Sequence, residues 1–243
     1  MAFPQEGIVK SPGTEALMRG GHETRASMSS AGCRFNEASP QDSRRHIEIV
    51  FDIARQFDAD IDMHVDETDD PAARTLEVVA ELTIANGWQG RVTAGHTCAL
   101  AGYPRDYADH VIGRLHEANV NMIANPATNL MLQGRLDDYP KRRGVTQVKE
   151  LLAAGVNVAC GQDCVHDTFY PFGQNDPLEI AFLLCHGLPY EPAGRDFDRH
   201  GHGDQQWREG ATGAGFPGRG RWRCGSGFRD TASRAAGLSG KGS

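Results

Sequence analysis

The sequence predicts an α/β protein built on a parallel sheet, either a (β/α) barrel or an open doubly wound sheet. Two observations carry that prediction. Short apolar, β-branched stretches alternate with helical periodicities from residue 39 to 188, over connections too short for anything but parallel crossovers. Each such stretch also ends in a residue fit for polar chemistry, which is how a parallel barrel presents its working face.

The elements justify themselves in order. Residues 1–10 read as a strand end and a turn, Ala2-Phe3-Pro4-Gln5-Glu6-Gly7-Ile8. A short helix starts at Thr14 within 11–19, and 20–33 shows no apolar period and reads as loop. Ser39-Pro40-Gln41-Asp42 is a helix start: Ser is a good N-cap, Pro suits the first helical position, and Asp42 faces the positive helix end. Ile47, Val50, Phe51 and Ala54 carry that helix to about Gln56, and a strand follows at 59–65. A helix over 71–86, with Leu76, Val79, Ala80 and Thr83 on one face, stops at Asn86-Gly87. Then come a strand at 91–95 ending in His96, a helix at 105–118, and a strand at 120–124 ending in Asn125-Pro126. A long loop holds Asn129, Gln133-Gly134-Arg135 and Lys141-Arg142-Arg143, the last read as a solvated face. A helix at 146–154 capped by Gly155, a strand at 156–160 ending in Gly161-Gln162-Asp163, and a helix at 176–187 complete the series.

Composition changes beyond Pro189, where Gly, Arg and Ser dominate and large aliphatics are few. Such a stretch cannot bury enough apolar surface to offset its ordering entropy. The expected organisation is a partial barrel over 1–188 and a disordered Gly/Arg-rich tail over 189–243. Of the 243 residues, 39% are hydrophobic and 23% charged, and the net charge is −7. This balance argues against a nucleic-acid partner, and no apolar run is long enough for a membrane span. The N-terminus lacks a secretory signal pattern. The 6 Cys are scattered without a CxxC, as in reduced thiols, so a cytoplasmic protein is expected.

The strand ends hold the chemistry. His64 with Glu67, His96, Asn125 and Asp163 close successive strands, and a parallel barrel brings such ends onto one face. A His and an Asp can hold a divalent cation of the zinc or iron kind. A Glu can shuttle protons, and a second His can orient and polarise the attacked centre. Together these serve metal-assisted hydrolysis of a C–N bond. His46, His110 and His116, inside helices, are expected at the surface.

Beyond single residues, the chain resembles the cytosine deaminase branch of the metal-dependent amidohydrolase superfamily over 2–18 and 35–188. The motifs are Phe3-Pro4-Gln5-Glu6-Gly7-Ile8, Asp62-Met63-His64-Val65-Asp66-Glu67, Val92-Thr93-Ala94-Gly95-His96-Thr97 and Ala124-Asn125-Pro126 with Leu132-Gln133-Gly134-Arg135. Tyr139-Pro140-Lys141-Arg142-Arg143-Gly144 and Gly161-Gln162-Asp163 with Phe169-Tyr170-Pro171-Phe172-Gly173 follow in the same order. The resemblance implies an eight-stranded TIM-type barrel of the amidohydrolase kind and one divalent metal ion, iron or zinc. It implies that His64 and Asp163 are metal ligands and that Glu67 is the proton shuttle. His96 would stabilise the attacked carbon, Asp163 would also act as base, and Gln5, with Glu67 and His96, would bind the pyrimidine-like substrate.

Three departures qualify what is expected. The family's His-x-His pair of metal ligands has no counterpart before His64, so the barrel is expected to lack its first strands and the chain alone to show little or no activity. His200-Gly201-His202 has the spacing but lies in the polar tail. Cys164 stands where cytosine deaminases often carry a second Asp, which opens the substrate to other amino-substituted rings such as a triazine, isoguanine or a cyclic amidine. The resemblance also breaks abruptly over 20–34 and after Leu188, as shifted reading frames would produce. The expected function is hydrolytic deamination of cytosine or a related small heterocyclic amine. The alternative is an inactive remnant or ligand-binding fragment of such an enzyme. A hydantoinase-like site would need a strand-terminal Lys, which is missing; homo-oligomerisation stays open.

Overall fold

In a computed structural model, residues 3–23, 29–30, 37–188 and 223–224 are described. They form a six-stranded, wholly parallel sheet whose strands lie in sequence order, β1 (Ser29–Ser30), β2 (Asp60–Val65), β3 (Val92–His96), β4 (Asn121–Ala124), β5 (Val158–Cys160) and β6 (Arg223–Cys224). Sequential order in a parallel sheet with helical crossovers is the winding of a (β/α) barrel, here a partial one.

The helices are α1 (Thr14–Glu23), α2 (Pro40–Phe57), α3 (Thr75–Asn86), α4 (Arg105–Glu117), α5 (Pro126–Leu132), α6 (Val148–Ala153) and α7 (Pro177–Gly187). Helix α2 starts as its sequence dictates: Ser39 Oγ accepts from the Asp42 amide at 3.1 Å, and Pro40 occupies the first turn. Ile47, Val50, Phe51 and Ala54 are buried on its inner face. Helix α3 takes its cap from a strand instead. Asp66, just past β2, accepts from the Thr75 and Leu76 amides at 3.2 and 2.9 Å and from Thr75 Oγ1 at 2.5 Å.

The period of two along each strand divides the sheet. Ile61, Met63, Val65, Val92, Ala94, Met122, Ala124, Val158 and Cys160 are buried in one core with the helices. Asp62, His64, Thr93, Asn121, Ile123 and Ala159 lie on the opposite face and are half-buried. The register sets Asp62 beside Thr93 and Thr93 beside Asn121, and sets His64 beside Gly95, Gly95 beside Ile123 and Ile123 beside Ala159. The inner face is therefore polar at the level of Asp62 and carries the functional groups one level higher.

Four expectations change. Residues 3–10 hold a turn, closed by the Gly7 amide on the Pro4 carbonyl at 3.0 Å, with no strand. Helix α1 runs through Gly20 and Gly21 to Glu23 because His22 finds a place to pack, its ring stacked on Phe57 at 5.2 Å. Part of the long loop after β4 is helix α5, with Pro126 in its first turn. His46 is fully buried, not at the surface, because its ring pairs with Glu37; His110 and His116 are exposed as expected. The tail lies outside the described residues except for Arg223–Cys224, which pair with β5. Among the described residues Cys98, Cys160, Cys164 and Cys185 form no disulfide, and no helix is long and apolar enough to cross a membrane.

Candidate active site at the strand ends

Strands β2, β3 and β5 deliver their polar residues through backbone that side chains rarely adopt. Asp66 (φ 46), His96 (φ 69), Thr97 (φ 50) and Asp163 (φ 60) are all left-handed without being glycine. Each costs of order 1–3 kcal/mol, and such residues persist where surrounding structure holds them and cluster at functional sites.

The result is a tight group. Glu67 lies between two imidazoles, with Oε2 3.5 Å from His64 Nδ1 and Oε1 3.4 Å from His96 Nδ1. Asp163 Oδ2 stands 3.9 Å from His96 Nε2. The His64 and His96 rings are 4.5 Å apart, and Phe3 closes the other side of His64 at 4.8 Å. His96 is 1% exposed, and the side-chain amides of Asn125 and Asn129 sit 3.2 and 3.0 Å from its Nε2 and Nδ1. A neutral imidazole has one donor and one acceptor nitrogen, so two amides, each able to present either group, fix the ring in one plane.

Electrostatics separate the two histidines. Burial pushes the His64 imidazole down, but the carboxylates of Glu67, Asp163 and Asp62 outweigh it and leave it above its ordinary value. Burial dominates at His96, with the neighbouring His64 charge adding to it, and holds the ring below its ordinary value. Burial would raise Glu67, yet its bond to His64 and the two imidazoles keep its carboxyl below the usual range. Burial and the Asp163 charge push the Cys164 thiol up to about 12, so that it stays protonated at neutral pH.

Of the residues expected from sequence, His64, Glu67, His96 and Asp163 converge, with Asn125 beside them. Gln5 is exposed in the turn that follows Phe3, and Phe3 is the member of that segment whose ring meets His64. The sequence pattern assigns no role to Asn129, although a signal is present. It stands four residues after Asn125, on the same face of the helix that Pro126 opens.

His64, His96 and Asp163 could hold a metal ion, each offering one ligand atom within 4.8 Å of the others. Two imidazoles and a carboxylate suit a zinc- or iron-type cation. Donors around such an ion, bonded at about 2.1 Å, stand roughly 3.4–4.2 Å apart, so one of the three moves inward or is not a ligand. His96, clamped by two amides, is the one least free to move.

Fold and site define a β/α-barrel protein whose titratable groups gather at the carboxyl ends of its strands. The chain belongs to the amidohydrolase family, whose model matches residues 12–193. It is 43% identical over 122 residues to a pterin deaminase of Rhizobium rhizogenes, a match covering 50% of this chain and 28% of that protein. It is 26% identical over 137 residues to an N-isopropylammelide isopropyl amidohydrolase of a Pseudomonas species, covering 56% and 31%. Among solved structures, 5-methylcytosine deaminase from Klebsiella pneumoniae liganded with phosphonocytosine superposes with a TM-score of 0.74 at 38% identity, covering 78% of this chain and 47% of that one. The chain thus spans less than half the length of each of these relatives.

Proposed function

We propose that this chain carries the proton-handling half of an aminohydrolase that converts a small amino-substituted heterocycle, cytosine or a related ring, to the carbonyl compound and ammonia. The observation that carries this reading is Glu67, whose carboxylate faces His64 and His96 at once, with Asp163 on the far side of His96. Relatives named for pterin, isopropylammelide and 5-methylcytosine support a nitrogen-rich ring as the substrate class. In the reaction, Asp163 accepts the proton of the attacking water as its oxygen bonds to the carbon bearing the amino group. Glu67 delivers that proton to the ring nitrogen and then carries the hydroxyl proton of the resulting adduct to the amine, so that the C–N bond breaks as the carbonyl forms and ammonia leaves. His96, held by its two amides, polarises the attacked centre. His64 and Asp163 would hold one iron or zinc ion, which supplies Lewis acidity and acidifies water near neutral pH. Gln5, beside Phe3 at the mouth, would bond the polar edge of the ring. The working unit is the partial barrel of residues 1–188, and the tail over 189–243 takes no part in the chemistry.

One observation favours a second reading, a ligand-binding remnant without turnover: the three candidate ligand atoms spread to 4.8 Å, wider than a closed cation site. Elemental analysis of the purified chain beside His64→Ala separates the two. Near-stoichiometric iron or zinc in the wild type, absent from the variant, is expected, and turnover is then tested with cytosine, pterin and a triazine amine. A metal-free wild type that binds none of these rings rejects the reading.

A further inference from the structure

Away from the strand ends, one side chain holds the start of the described chain in place. The Glu37 carboxylate accepts three consecutive backbone amides, from Ile8 at 2.7 Å and Val9 at 3.0 Å on Oε1 and from Lys10 at 2.9 Å on Oε2. The same Oε1 lies 2.7 Å from Nδ1 of His46 on α2, and both side chains are wholly shielded from solvent. Successive amides turned onto one anion form a nest, a geometry that holds a negative charge in place of solvent. Gly7 (φ +93) completes it: a Cβ there would stand 2.8 Å from Glu37 Oε1, so the carboxylate fills the space a side chain would take. Burial raises the Glu37 carboxyl, but His46 and the three amides outweigh it and keep it ionised.

This nest lies on a direct path to the site. Between Gly7 and Phe3 runs the turn closed by Gly7 on Pro4, and the Phe3 ring rests on His64. We infer that Glu37, paired with His46, is a positioning residue that sets the Phe3–Gln5 segment against the strand-end cluster, although it touches none of the reacting groups. The inference rests on the proposed function only in taking His64 as a working residue.

The test uses the isotope-labelled full chain and nuclear magnetic resonance, with zinc as the probe. In Glu37→Gln one of the two accepting oxygens becomes an NH2, which cannot accept from the amides that face it, and the side chain cannot carry the negative charge. Amide exchange at Ile8, Val9 and Lys10 is expected to rise about tenfold or more. The Phe3 ring is expected to leave His64, while protected amides in β2 and β3 keep their rates. A destabilised variant in which the two rings still touch would show a merely structural role and overturn the inference. Should Glu37→Gln fail to fold, Gly7→Ala, which pushes the same carboxylate from the other side, is read by the same pair of rings with the same two outcomes. Zinc titration of the His64 ring signals reports the metal reading separately. If Glu37→Gln separates the two rings and the wild type never binds zinc, positioning stands and the metal reading is rejected. If the rings stay together in the variant, positioning is overturned whether zinc binds or not.

Discussion

At the scale of single residues, the site depends on how firmly His96 is held. A Cβ added at Gly161 would stand 2.7 Å from Asn125 Oδ1 and 3.3 Å from Ile123 Cγ2. Asn125 is buried and cannot yield toward solvent, so Gly161→Ala must displace the amide that sits on His96 Nε2. The expected outcome is a stability loss of about 1–3 kcal/mol, the usual cost of overpacking, together with shifted His96 ring signals. Unchanged ring signals in a destabilised variant would mean that Asn125 does not hold the ring. What is legible in the sequence here follows from strand geometry. His64, His96 and Asp163 announce themselves because a polar residue that ends an apolar run faces the barrel mouth. Glu37 and His46 do not, because nothing in the local pattern says that a helical His turns inward to a carboxylate nine positions earlier. Tertiary pairing decides that, against the ordinary expectation for His in a helix.

At the scale of elements, the coupling between β2 and α3 carries the most consequence. Asp66 is 2% exposed, and its two oxygens take the Thr75 amide and hydroxyl, the Leu76 amide and the Tyr103 hydroxyl. The carboxylate thus serves as the missing N-cap of α3, whose own cap position, Arg74, makes no side-chain cap bond. Glu67 follows directly, so the same anchor sets the angle at which its side chain leaves the strand. Asp66→Ala strands several buried donors and is expected to cost about 1–3 kcal/mol or more in urea unfolding at unchanged m. Asp66→Asn keeps one acceptor and should lose less. Equal stability of the three proteins would mean that Asp66 does not anchor the helix. A second tie acts on the other side of Glu67. The Gly134 amide donates to Asp69 Oδ2 at 2.7 Å, Arg142 Nη1 donates to the Asp69 carbonyl at 2.7 Å, and Gln133 Nε2 reaches the Glu67 carbonyl at 3.4 Å. By sequence Arg142 belongs to a solvated basic face, and it is exposed; its partners are loop residues that periodicity does not bring together. Helix and strand positions are legible because their periods are strong. Helix α5 is not, since two turns between a Pro and a Gly-containing loop are too short for a period to register.

At the scale of the whole molecule, the sheet order and the site face are legible because alternation of strand and helix leaves little choice of winding. The polarity of the inner face is not, since each strand reads as an apolar run, whereas Asp62, Thr93 and Asn121 form a polar row across three strands by register alone. That row and the two buried ion networks make the response to acid a property of the entire fold. Against ordinary values, the folded state lowers His46, where burial outweighs the bond to Glu37, and also His96, Glu37 and Glu67. It raises His64 and the half-buried Asp62, the latter by desolvation. A lowered group gives stability that is present above its unfolded value and lost as pH falls through the folded one; a raised group gives stability that is lost as pH rises. His64 acts above the ordinary histidine value of 6.5 and His46 and His96 act below it, so stability should decline as pH falls from 6.5. Below the ordinary glutamate value of 4.5, Glu37 and Glu67 add to the loss, and Asp62, opposing them, is a single partly exposed group. Urea midpoints should therefore hold or rise as pH falls from 7.5 to 6.5, where the raised His64 responds, and drop from pH 6.5 to pH 4 (about the range in which imidazoles and carboxylates titrate). The drop should steepen at its acid end, where the unfolded chain takes up protons that the lowered Glu37 and Glu67 carboxylates do not. A midpoint that holds constant or rises between pH 6.5 and pH 4 would mean that the Glu37–His46 pair contributes little to holding the fold.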